Sequence, residues 1–302
     1  LVELGERNKN VLVLDADLNT STRTVLFKER FPDRFVQFGI AEANMFGVAA
    51  GLAKQGFIPF PSTFAAFAAR KALDQVYLNI CCSKLNVKIP GSYPGMTAAE
   101  CGASHAVAED ISIMRSMPNL KVADPGDAQE LRSLMHKLID EEGPVYFRVP
   151  KFRPPVLFDG SYRFEWGKGA VLKEGKDVAL IGTGMMTAVC LKAAEMLEAE
   201  GVNAEVVHMA SIKPIDEELL VRTARKTGCV VTIENGRIYG GFGSAVSEVL
   251  SRECPVRIEM IGLTYANFNS APISHLIRAN QLTPDEMVKR AKSAIAKRSK
   301  EN

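Results

Sequence analysis

The sequence contains no apolar run long enough to cross a bilayer, and residues 1–6 provide neither the basic segment nor the apolar core of a secretion signal. We therefore expect no membrane partner. Charge of one sign is also lacking, because 37 basic and 35 acidic residues are mixed along the chain and leave a net charge of only +2. Without a sustained basic surface to hold its backbone, nucleic acid is not an expected partner. The sequence does not begin with Met, so we expect missing or processed residues before Leu1.

Cysteine is sparse, and the six thiols show neither the paired spacing of a zinc site nor the density of a secreted disulfide scaffold. This usage predicts a reducing compartment, the cytoplasm. The length of 302 residues exceeds what one hydrophobic core usually serves, so two domains are expected. The cysteines are Cys81, Cys82, Cys101, Cys190, Cys229 and Cys254.

Short apolar runs alternate with amphipathic stretches along the first half of the chain, which predicts an α/β domain with a mainly parallel sheet and helices on both faces. A helix is expected over 43–54, with Met45, Val48, Ala49 and Leu52 on one face, and Asp127 is expected to cap another. The predicted strands are 11–14, 86–89, 120–123 and 145–149.

Residues 151–166 contain Pro154, Pro155 and Gly160 and have no periodicity, which predicts a linker between a domain at 1–150 and a second at 167–302. The second domain repeats the alternation of strand and helix and is expected to have the same architecture. Its predicted strands are 177–181, 204–208, 229–233 and 256–261, and its predicted helices are 187–200, 216–226 and one that follows a capping box at 283–286.

Several segments closely resemble, in order and spacing, the pyrimidine-binding domain of transketolases, and the sequence from Gly169 onward is similar to the C-terminal domain of that family. The resemblance covers essentially the whole chain and rests on several unrelated motifs in one order. It implies the two α/β domain folds of the family and transfer of a two-carbon ketol unit from a ketose phosphate to an aldose. The principal motifs are Asp15-Ala16-Asp17-Leu18, Gly39-Ile40-Ala41-Glu42-Ala43-Asn44-Met45 and Ser62-Thr63-Phe64-Ala65-Ala66-Phe67.

The resemblance also implies a set of residues that bind thiamine diphosphate. Glu42 matches the glutamate that hydrogen-bonds N1′ of the aminopyrimidine and favours its imino tautomer. Phe67, and with it Phe64, matches an aromatic pair that stacks on the same ring, and their spacing predicts one shared helix face. Ile40 and Asp17 complete the expected cofactor site. An isolated Glu at a helix N-terminus more often only suits the helix dipole, but the surrounding motif favours the catalytic role.

The substrate residues implied by the resemblance centre on an anion site. Arg148 matches an arginine that binds the phosphate of the sugar, and Ser21 matches a serine of the same site; Arg23 and Arg70 are also available. A guanidinium suits this role because its planar fork pairs two phosphate oxygens. His105 matches a catalytic histidine that contacts the donor near the reacting carbon.

Two positions depart from the family pattern. Tyr93 stands where transketolases usually have a substrate-contacting histidine, and Cys101 stands where an aspartate usually recognises a sugar hydroxyl. A site built to hydrogen-bond a particular hydroxyl discriminates strongly through that bond. We therefore predict that the accepted donor or acceptor sugar differs from the ordinary pentose phosphates.

The diphosphate and metal half of the family site is missing. Transketolases bind these groups through Gly-Asp-Gly followed, after a helix, by Asn, whereas Gly126-Asp127-Ala128 lacks the second glycine and no Asn follows until Asn203. We expect no metal ligand in this chain. An N-terminal transketolase subunit is expected to hold the diphosphate with Mg²⁺ or Ca²⁺, in an α2β2 heterotetramer.

Other interpretations remain open at this stage. Residues 211–216 are also similar to the β subunit of 2-oxoacid dehydrogenases, which is the enzymatic alternative. Deoxyxylulose-phosphate synthase is a third relative, but it normally carries both halves in one chain. A non-catalytic partner protein would fit the loss of the usual residues at Tyr93 and Cys101. Gly182-Thr183-Gly184 lacks the third glycine of a dinucleotide site.

Overall fold

A computed structural model describes residues 1–264 and 270–301. The described residues form twelve strands in two sheets. The strands are β1 (Val11–Asp15), β2 (Phe35–Gln37), β3 (Ile58–Phe64), β4 (Lys88–Ser92), β5 (Lys121–Ala123), β6 (Val145–Val149), β7 (Ala170–Lys173), β8 (Val178–Gly182), β9 (Ala204–His208), β10 (Ser211–Lys213), β11 (Cys229–Arg237) and β12 (Arg257–Leu263).

Eleven α-helices accompany these strands within the described ranges. They are α1 (Val2–Arg7), α2 (Val25–Arg30), α3 (Glu42–Lys54), α4 (Ala65–Arg70), α5 (Asp110–Ser116), α6 (Ala128–Lys137), α7 (Thr187–Glu198), α8 (Glu217–Thr227), α9 (Phe242–Glu253), α10 (Ile273–Ala279) and α11 (Pro284–Glu301). No helix in this part of the chain is both long and apolar enough to cross a membrane.

The first sheet has seven strands in the order β10-β5-β6-β4-β3-β1-β2, and the second has five in the order β12-β11-β8-β9-β7. Each sheet is parallel except for one edge strand, since β10 runs antiparallel to β5 and β7 runs antiparallel to β9. The predicted α/β class with two mainly parallel sheets is therefore confirmed. Strand β10 follows the second sheet's β9 in sequence yet joins the first sheet, so the two sheets share one stretch of chain.

Helices cover both faces of the sheets. In β1, Leu12 and Leu14 face a core that includes α3, whereas Val11 and Val13 face a second core that includes Phe27 of α2. Successive residues of a strand point to opposite sides, so a fully buried apolar strand needs cover on both. This is why the chain places helices on either side of each sheet.

Apart from shifts of one or two residues at their ends, the predicted elements agree with the structure except in four details. The strand expected over 86–89 begins later, at Lys88, and the strand expected over 229–233 continues to Arg237. The helix expected over 43–54 is α3, but Val48 is exposed and Phe46 takes its place in the buried face. Phe64 ends β3 and precedes α4, so Phe64 and Phe67 do not share a helix face.

The segment 151–166 contains neither helix nor strand but is hydrogen-bonded to α6 and its cap. Asp127 caps α6 by accepting a hydrogen bond from the Glu130 amide at 2.8 Å, as predicted. Its second oxygen accepts the amides of Leu157 and Phe158 at 2.7 and 2.9 Å. Both carboxylate oxygens of Asp127 are therefore used to fix the fold.

Candidate active site

Four neighbouring parallel strands bring the predicted site residues to one edge of the first sheet. Strands β4, β3, β1 and β2 are adjacent, and their carboxyl ends carry Ser92, Phe64, Asp15 and Gln37. Loops at the carboxyl ends of parallel strands form the usual crevice for a ligand in such sheets. The predicted residues that follow these strand ends are Asp17, Ser21, Ile40, Glu42, Phe67 and Tyr93.

Two polar side chains that sequence reasoning missed shape this edge. Buried Asp15 accepts hydrogen bonds from the Leu18 amide at 2.7 Å and the Thr24 hydroxyl at 2.9 Å. The amide oxygen of Gln37 accepts the backbone N–H groups of Asp17 and Gly39 at 2.9 and 3.1 Å. A charged residue ending an apolar strand was the available signal for Asp15, because buried charge requires partners.

Glu42 is the first residue of α3, and only 4% of it is exposed. Its Oε1 lies 3.1 Å from Nζ of Lys71, the residue that follows α4. The helix N-terminus and the ammonium both place positive charge beside this side chain. Lys71 was not predicted, because nothing in its sequence context indicates a contact with a residue on another helix.

Phe64, Phe67, Tyr93 and His105 form an aromatic cluster beside Glu42. The rings of Phe64 and Phe67 are stacked with centroids 5.7 Å apart, and the Tyr93 ring lies 4.5 Å from that of Phe64. The rings of His105 and Phe67 meet edge to face, with centroids 5.3 Å apart. The structure therefore brings together four of the residues that the sequence assigned to cofactor and substrate.

Tyr93 adopts a left-handed backbone conformation with φ of 56°. Such a conformation is uncommon for a bulky residue and concentrates at functional sites. The Tyr93 hydroxyl donates to the carbonyl oxygen of Ser21 at 3.3 Å. Ser21 itself is exposed, so it joins this edge through its backbone, and its hydroxyl faces solvent.

A lysine that was not predicted lies beside Tyr93. The Nζ atom of Lys151 is 5.7 Å from the centre of the Tyr93 ring and 2.6 Å from Oε2 of Glu100. The hydrogen bond with Glu100 raises the pKa of Lys151 above its ordinary value. Cys101, the next residue after Glu100, is an exposed free thiol.

Arg70 supports the loop that carries His105. Its guanidinium contacts Glu109 at 2.7 Å and the carbonyl oxygen of Ala106 at 3.1 Å. Nδ1 of His105 is hydrogen-bonded to the Ser104 hydroxyl at 2.8 Å. Arg70 therefore positions this loop, and its guanidinium is not left open for a substrate phosphate.

The remaining predicted residues of the edge are open to solvent. Ile40 is 76% exposed, and the side chains of Asp17 and Arg23 are also exposed. In the described part of the chain, no hydrogen bond or ion pair of the Asp17 or Arg23 side chain is seen.

The second sheet supports the loop that follows Tyr93. The side chain of Asn235, in β11, accepts a hydrogen bond from the Met96 amide at 3.0 Å. Gly95 has a φ of 59°, and a Cβ there would collide with the carbonyl oxygen of Asn235. Only glycine fits this close approach, so the loop is fixed by backbone contact between the two halves of the chain.

The structure corrects the phosphate role predicted for Arg148, because this side chain is 1% exposed and fully paired. Its Nε and Nη2 atoms contact both oxygens of Asp110 at 2.8 and 2.5 Å. Its Nη1 atom contacts Asp124 at 3.3 Å and the carbonyl oxygen of Asn235 at 3.1 Å. Burial lowers the pKa of Arg148, but the two carboxylates outweigh it and raise that pKa above its ordinary value. Arg148 joins the two sheets.

The carboxyl and the ring fit an aminopyrimidine. The Lys71 ammonium stands 3.1 Å from the Glu42 carboxylate and 4.3 Å from the centre of the Phe67 ring. One small group therefore reaches both a hydrogen-bonding carboxyl and an aromatic surface. A flat heteroaromatic ring needs the same two contacts. The fold and this pair of contacts fit the class of α/β enzymes that bind an aromatic cofactor through a carboxyl.

Comparison with known proteins identifies the family. The model described as transketolase, pyrimidine binding domain matches residues 1–154, and the one described as transketolase, C-terminal domain matches 167–287. The chain is 42% identical over 292 residues to the 6-deoxy-6-sulfo-D-fructose transketolase subunit SqwH of Clostridium sp. strain MSTE9, covering 96% of this chain and 90% of that protein.

Two further comparisons agree. The chain is 34% identical over 268 residues to one of the subunits of the apulose-4-phosphate transketolase of Phocaeicola vulgatus, covering 88% of this chain and 86% of that protein. It matches a solved structure described as a split gene transketolase, inactive beta4 tetramer, with a TM-score of 0.90 and 47% identity over 98% of this chain and 95% of that chain. This chain belongs to the transketolase family, whose cofactor is thiamine diphosphate. The predicted resemblance is confirmed.

Proposed function

We propose that this chain is the C-terminal subunit of a split transketolase that moves a two-carbon ketol unit from an anionic ketose to an aldose. The observation that carries the proposal is the placement of Glu42 beside the aromatic cluster at the carboxyl edge of the first sheet. A carboxyl for the cofactor ring and a histidine for the donor are thus both placed beside Phe67, Glu42 through Lys71 and His105 by direct ring contact. Retention of both argues against a non-catalytic partner protein.

An N-terminal subunit completes the site in this proposal. Asp127 is the one aspartate of the incomplete glycine motif. Both of its carboxylate oxygens accept hydrogen bonds from backbone amides. Among the described residues no group of three or more His, Cys, Asp or Glu side chains could hold a metal ion. The partner would supply the diphosphate-binding residues and the Mg²⁺ or Ca²⁺, in an α2β2 assembly. The related tetramer made of β chains alone is described as inactive, which supports this division.

The residues of this chain have distinct roles. When bound, thiamine diphosphate would supply the nucleophilic carbon for the transfer. Glu42 holds a proton at N1′ of the aminopyrimidine, and Phe67 and Phe64 give the ring a stacking surface. His105 donates or accepts a hydrogen bond at the donor oxygens near the reacting carbon. Tyr93 packs against Phe64 and is hydrogen-bonded to the backbone of Ser21.

We infer that Lys151 recognises the anionic end of the ketose in place of Arg148. Lys151 is the cation beside Tyr93, and its side chain is only 31% exposed. It is paired with a single exposed carboxylate, that of Glu100, which a substrate anion can replace. Relatives named for 6-deoxy-6-sulfo-D-fructose and for apulose 4-phosphate act on sugars with a sulfonate or a phosphate, so an anionic end group fits the family.

The cytoplasmic location predicted from cysteine usage stays a proposal. It is supported by the six free thiols of the structure. Burial raises the pKa of the Cys81 thiol to about 12, so this buried cysteine has little thiolate character. A reducing compartment suits a protein with this many unpaired thiols.

Reconstitution tests the proposed function. The chain is mixed with an N-terminal transketolase subunit, thiamine diphosphate and Mg²⁺. Ketose donors with phosphate or sulfonate ends are then screened against aldose phosphates by product analysis. We expect ketol transfer only when both subunits are present, and a preferred donor other than xylulose 5-phosphate. Equal turnover of xylulose 5-phosphate and ribose 5-phosphate at the usual family efficiency would overturn the altered specificity.

The same assay separates the alternatives. Activity with a 2-oxo acid and a lipoyl-domain acceptor would identify a 2-oxoacid dehydrogenase subunit instead. Product formed from pyruvate and glyceraldehyde 3-phosphate would identify a deoxyxylulose-phosphate synthase. Assembly with the partner but no turnover of any donor would leave only the non-catalytic interpretation.

A further inference from the structure

Lys71 occupies an unusual position for a surface lysine. Its side chain is 48% exposed, yet its ammonium is 3.1 Å from the carboxylate of Glu42, whose side chain is only 5% exposed. In the described residues it is the one side chain hydrogen-bonded to that carboxylate. The ion pair therefore links a half-exposed cation to the buried acid of the proposed cofactor site.

The same ammonium also contacts the aromatic cluster. It lies 4.3 Å from the centre of the Phe67 ring, within the range of a cation–π contact. In the proposed function, N1′ of the aminopyrimidine bonds to Glu42 and the ring stacks on Phe67. Lys71 thus makes with its ammonium the two contacts that the aminopyrimidine would make.

We propose that Lys71 is a positioning residue that holds Glu42 and Phe67 in the cofactor-free chain and leaves both when the cofactor ring enters. This inference rests on the proposed function. A buried carboxylate without a partner is costly, so the ion pair stabilises the empty site. The long and half-exposed lysine side chain can turn to solvent when it is displaced. Cofactor binding then includes the work of breaking this pair.

The proposal predicts the direction in which replacing Lys71 changes the affinity for thiamine diphosphate. Removing the ammonium should make the cofactor bind more tightly, because no ion pair has to be broken, whereas a residue that only supported the fold would weaken binding when removed. A half-exposed ion pair with one cation–π contact corresponds to a factor of about three to ten in the dissociation constant.

Equilibrium binding to the assembled complex tests the proposal. Thiamine diphosphate is titrated by calorimetry, with Mg²⁺ present, into the two-subunit complex of wild type, Lys71→Met and Lys71→Arg. We expect about three- to tenfold tighter binding for Lys71→Met and a near-normal constant for Lys71→Arg, which keeps the cation. In a Glu42→Gln background the effect of Lys71→Met should shrink, because the ion pair is already gone.

A second measurement does not involve the cofactor. Urea unfolding of the isolated subunit should show a lower midpoint for Lys71→Met than for wild type or Lys71→Arg, since Glu42 is left buried without its partner. Unchanged or weaker cofactor binding by Lys71→Met, or an unchanged midpoint, overturns the proposal. A wild-type complex that binds no thiamine diphosphate overturns the proposed function as well, so the two failures are distinguishable.

Discussion

Arg148 grips Asp110 with two parallel hydrogen bonds, Nε to Oδ2 at 2.8 Å and Nη2 to Oδ1 at 2.5 Å, in a part of the protein closed to solvent. Asp110 begins α5, and the same guanidinium reaches Asp124 after β5 and the backbone of Asn235 in β11. The residue that the family pattern suggested as a phosphate ligand therefore connects the two sheets. Its contribution is to the position of the site rather than to substrate contact.

Replacing Arg148 should destabilise the chain severely. Arg148→Met leaves two buried carboxylates without their cation, and breaking a buried ion pair from one side typically costs about 3–5 kcal/mol. We expect the free energy of unfolding, measured with urea on the isolated subunit, to fall by about that amount. Arg23→Met, at an exposed arginine, should leave it nearly unchanged. Normal stability combined with a raised KM for the donor would instead restore the phosphate role.

The local sequence pattern predicted the helices and strands well, but it did not predict which side chains contact one another across them. Strand β6 was predicted to the residue because five apolar-rich positions stand between a Gly-Pro turn and Pro150. The partners of Arg148 could not be read from the sequence, since Asp110 and Asp124 are 38 and 24 residues away in the chain. A strand-end arginine looks the same in sequence whether it faces a phosphate or two aspartates.

In the candidate site, likewise, residues within motifs were predicted and a contact between distant residues was not. Motif order placed Glu42, Phe64, Phe67 and His105 correctly as neighbours, because each follows or lies near the end of a strand of one parallel sheet. Lys71 was missed because its contact with Glu42 spans 29 residues and two helices. Long and flexible side chains meet by tertiary packing, which short-range periodicity does not encode.

The stability of the chain should fall between acid and neutral pH through Glu234. Burial raises the pKa of Glu234 from 4.5 to about 7, although the amides of Phe242 and Gly243 offset part of that effect. Between these values the folded state binds more protons at this group than the unfolded state does. The free energy of unfolding therefore decreases as pH rises through this window, by up to about 3 kcal/mol for this one group.

Glu234→Gln should remove that dependence. We expect urea unfolding at pH 5 and pH 7.5 to differ less for this variant than for wild type, whereas the same change at exposed Glu29 should leave the difference as it was. The comparison uses the difference in unfolding free energy between the two pH values within each variant. A hydrogen bond from Gly243 that is lost at both pH values therefore does not affect it. Identical pH profiles for wild type and Glu234→Gln would contradict the assignment.

Glu42→Ala should abolish turnover without disturbing assembly. Loss of a proton-transferring group typically costs about 10²–10⁴ in rate, and the short side chain of alanine cannot reach the cofactor ring. Light scattering of the variant mixed with the N-terminal subunit should give the wild-type mass. Ketol transfer at more than about a tenth of the wild-type rate would mean that another residue activates the cofactor.

Restoring the residues usual in the family should shift sugar preference toward pentose phosphates. In the double variant Tyr93→His with Cys101→Asp, the site regains a histidine and a carboxylate able to bond sugar hydroxyls. We expect kcat/KM for xylulose 5-phosphate, divided by that for the preferred donor, to rise at least about tenfold. Cys82→Asp, at another exposed thiol, is the control. An unchanged ratio would show that these positions do not select the sugar.

Lys151→Met should weaken the donor specifically through its charged end. A charge-assisted hydrogen bond to a phosphate or sulfonate corresponds to about a tenfold to hundredfold rise in KM when it is lost. Lys151→Arg should recover most of the affinity, and Lys192→Met, at a distant exposed ion pair, should have no effect. The dissociation constant of thiamine diphosphate should stay the same in all of these variants, because Lys151 contacts Tyr93 and Glu100 and not Glu42 or Phe67. Steady-state kinetics with a donor and its uncharged analogue tests this. An equal rise in KM for both would mean that the anionic end binds elsewhere and that Lys151 supports the Tyr93 loop.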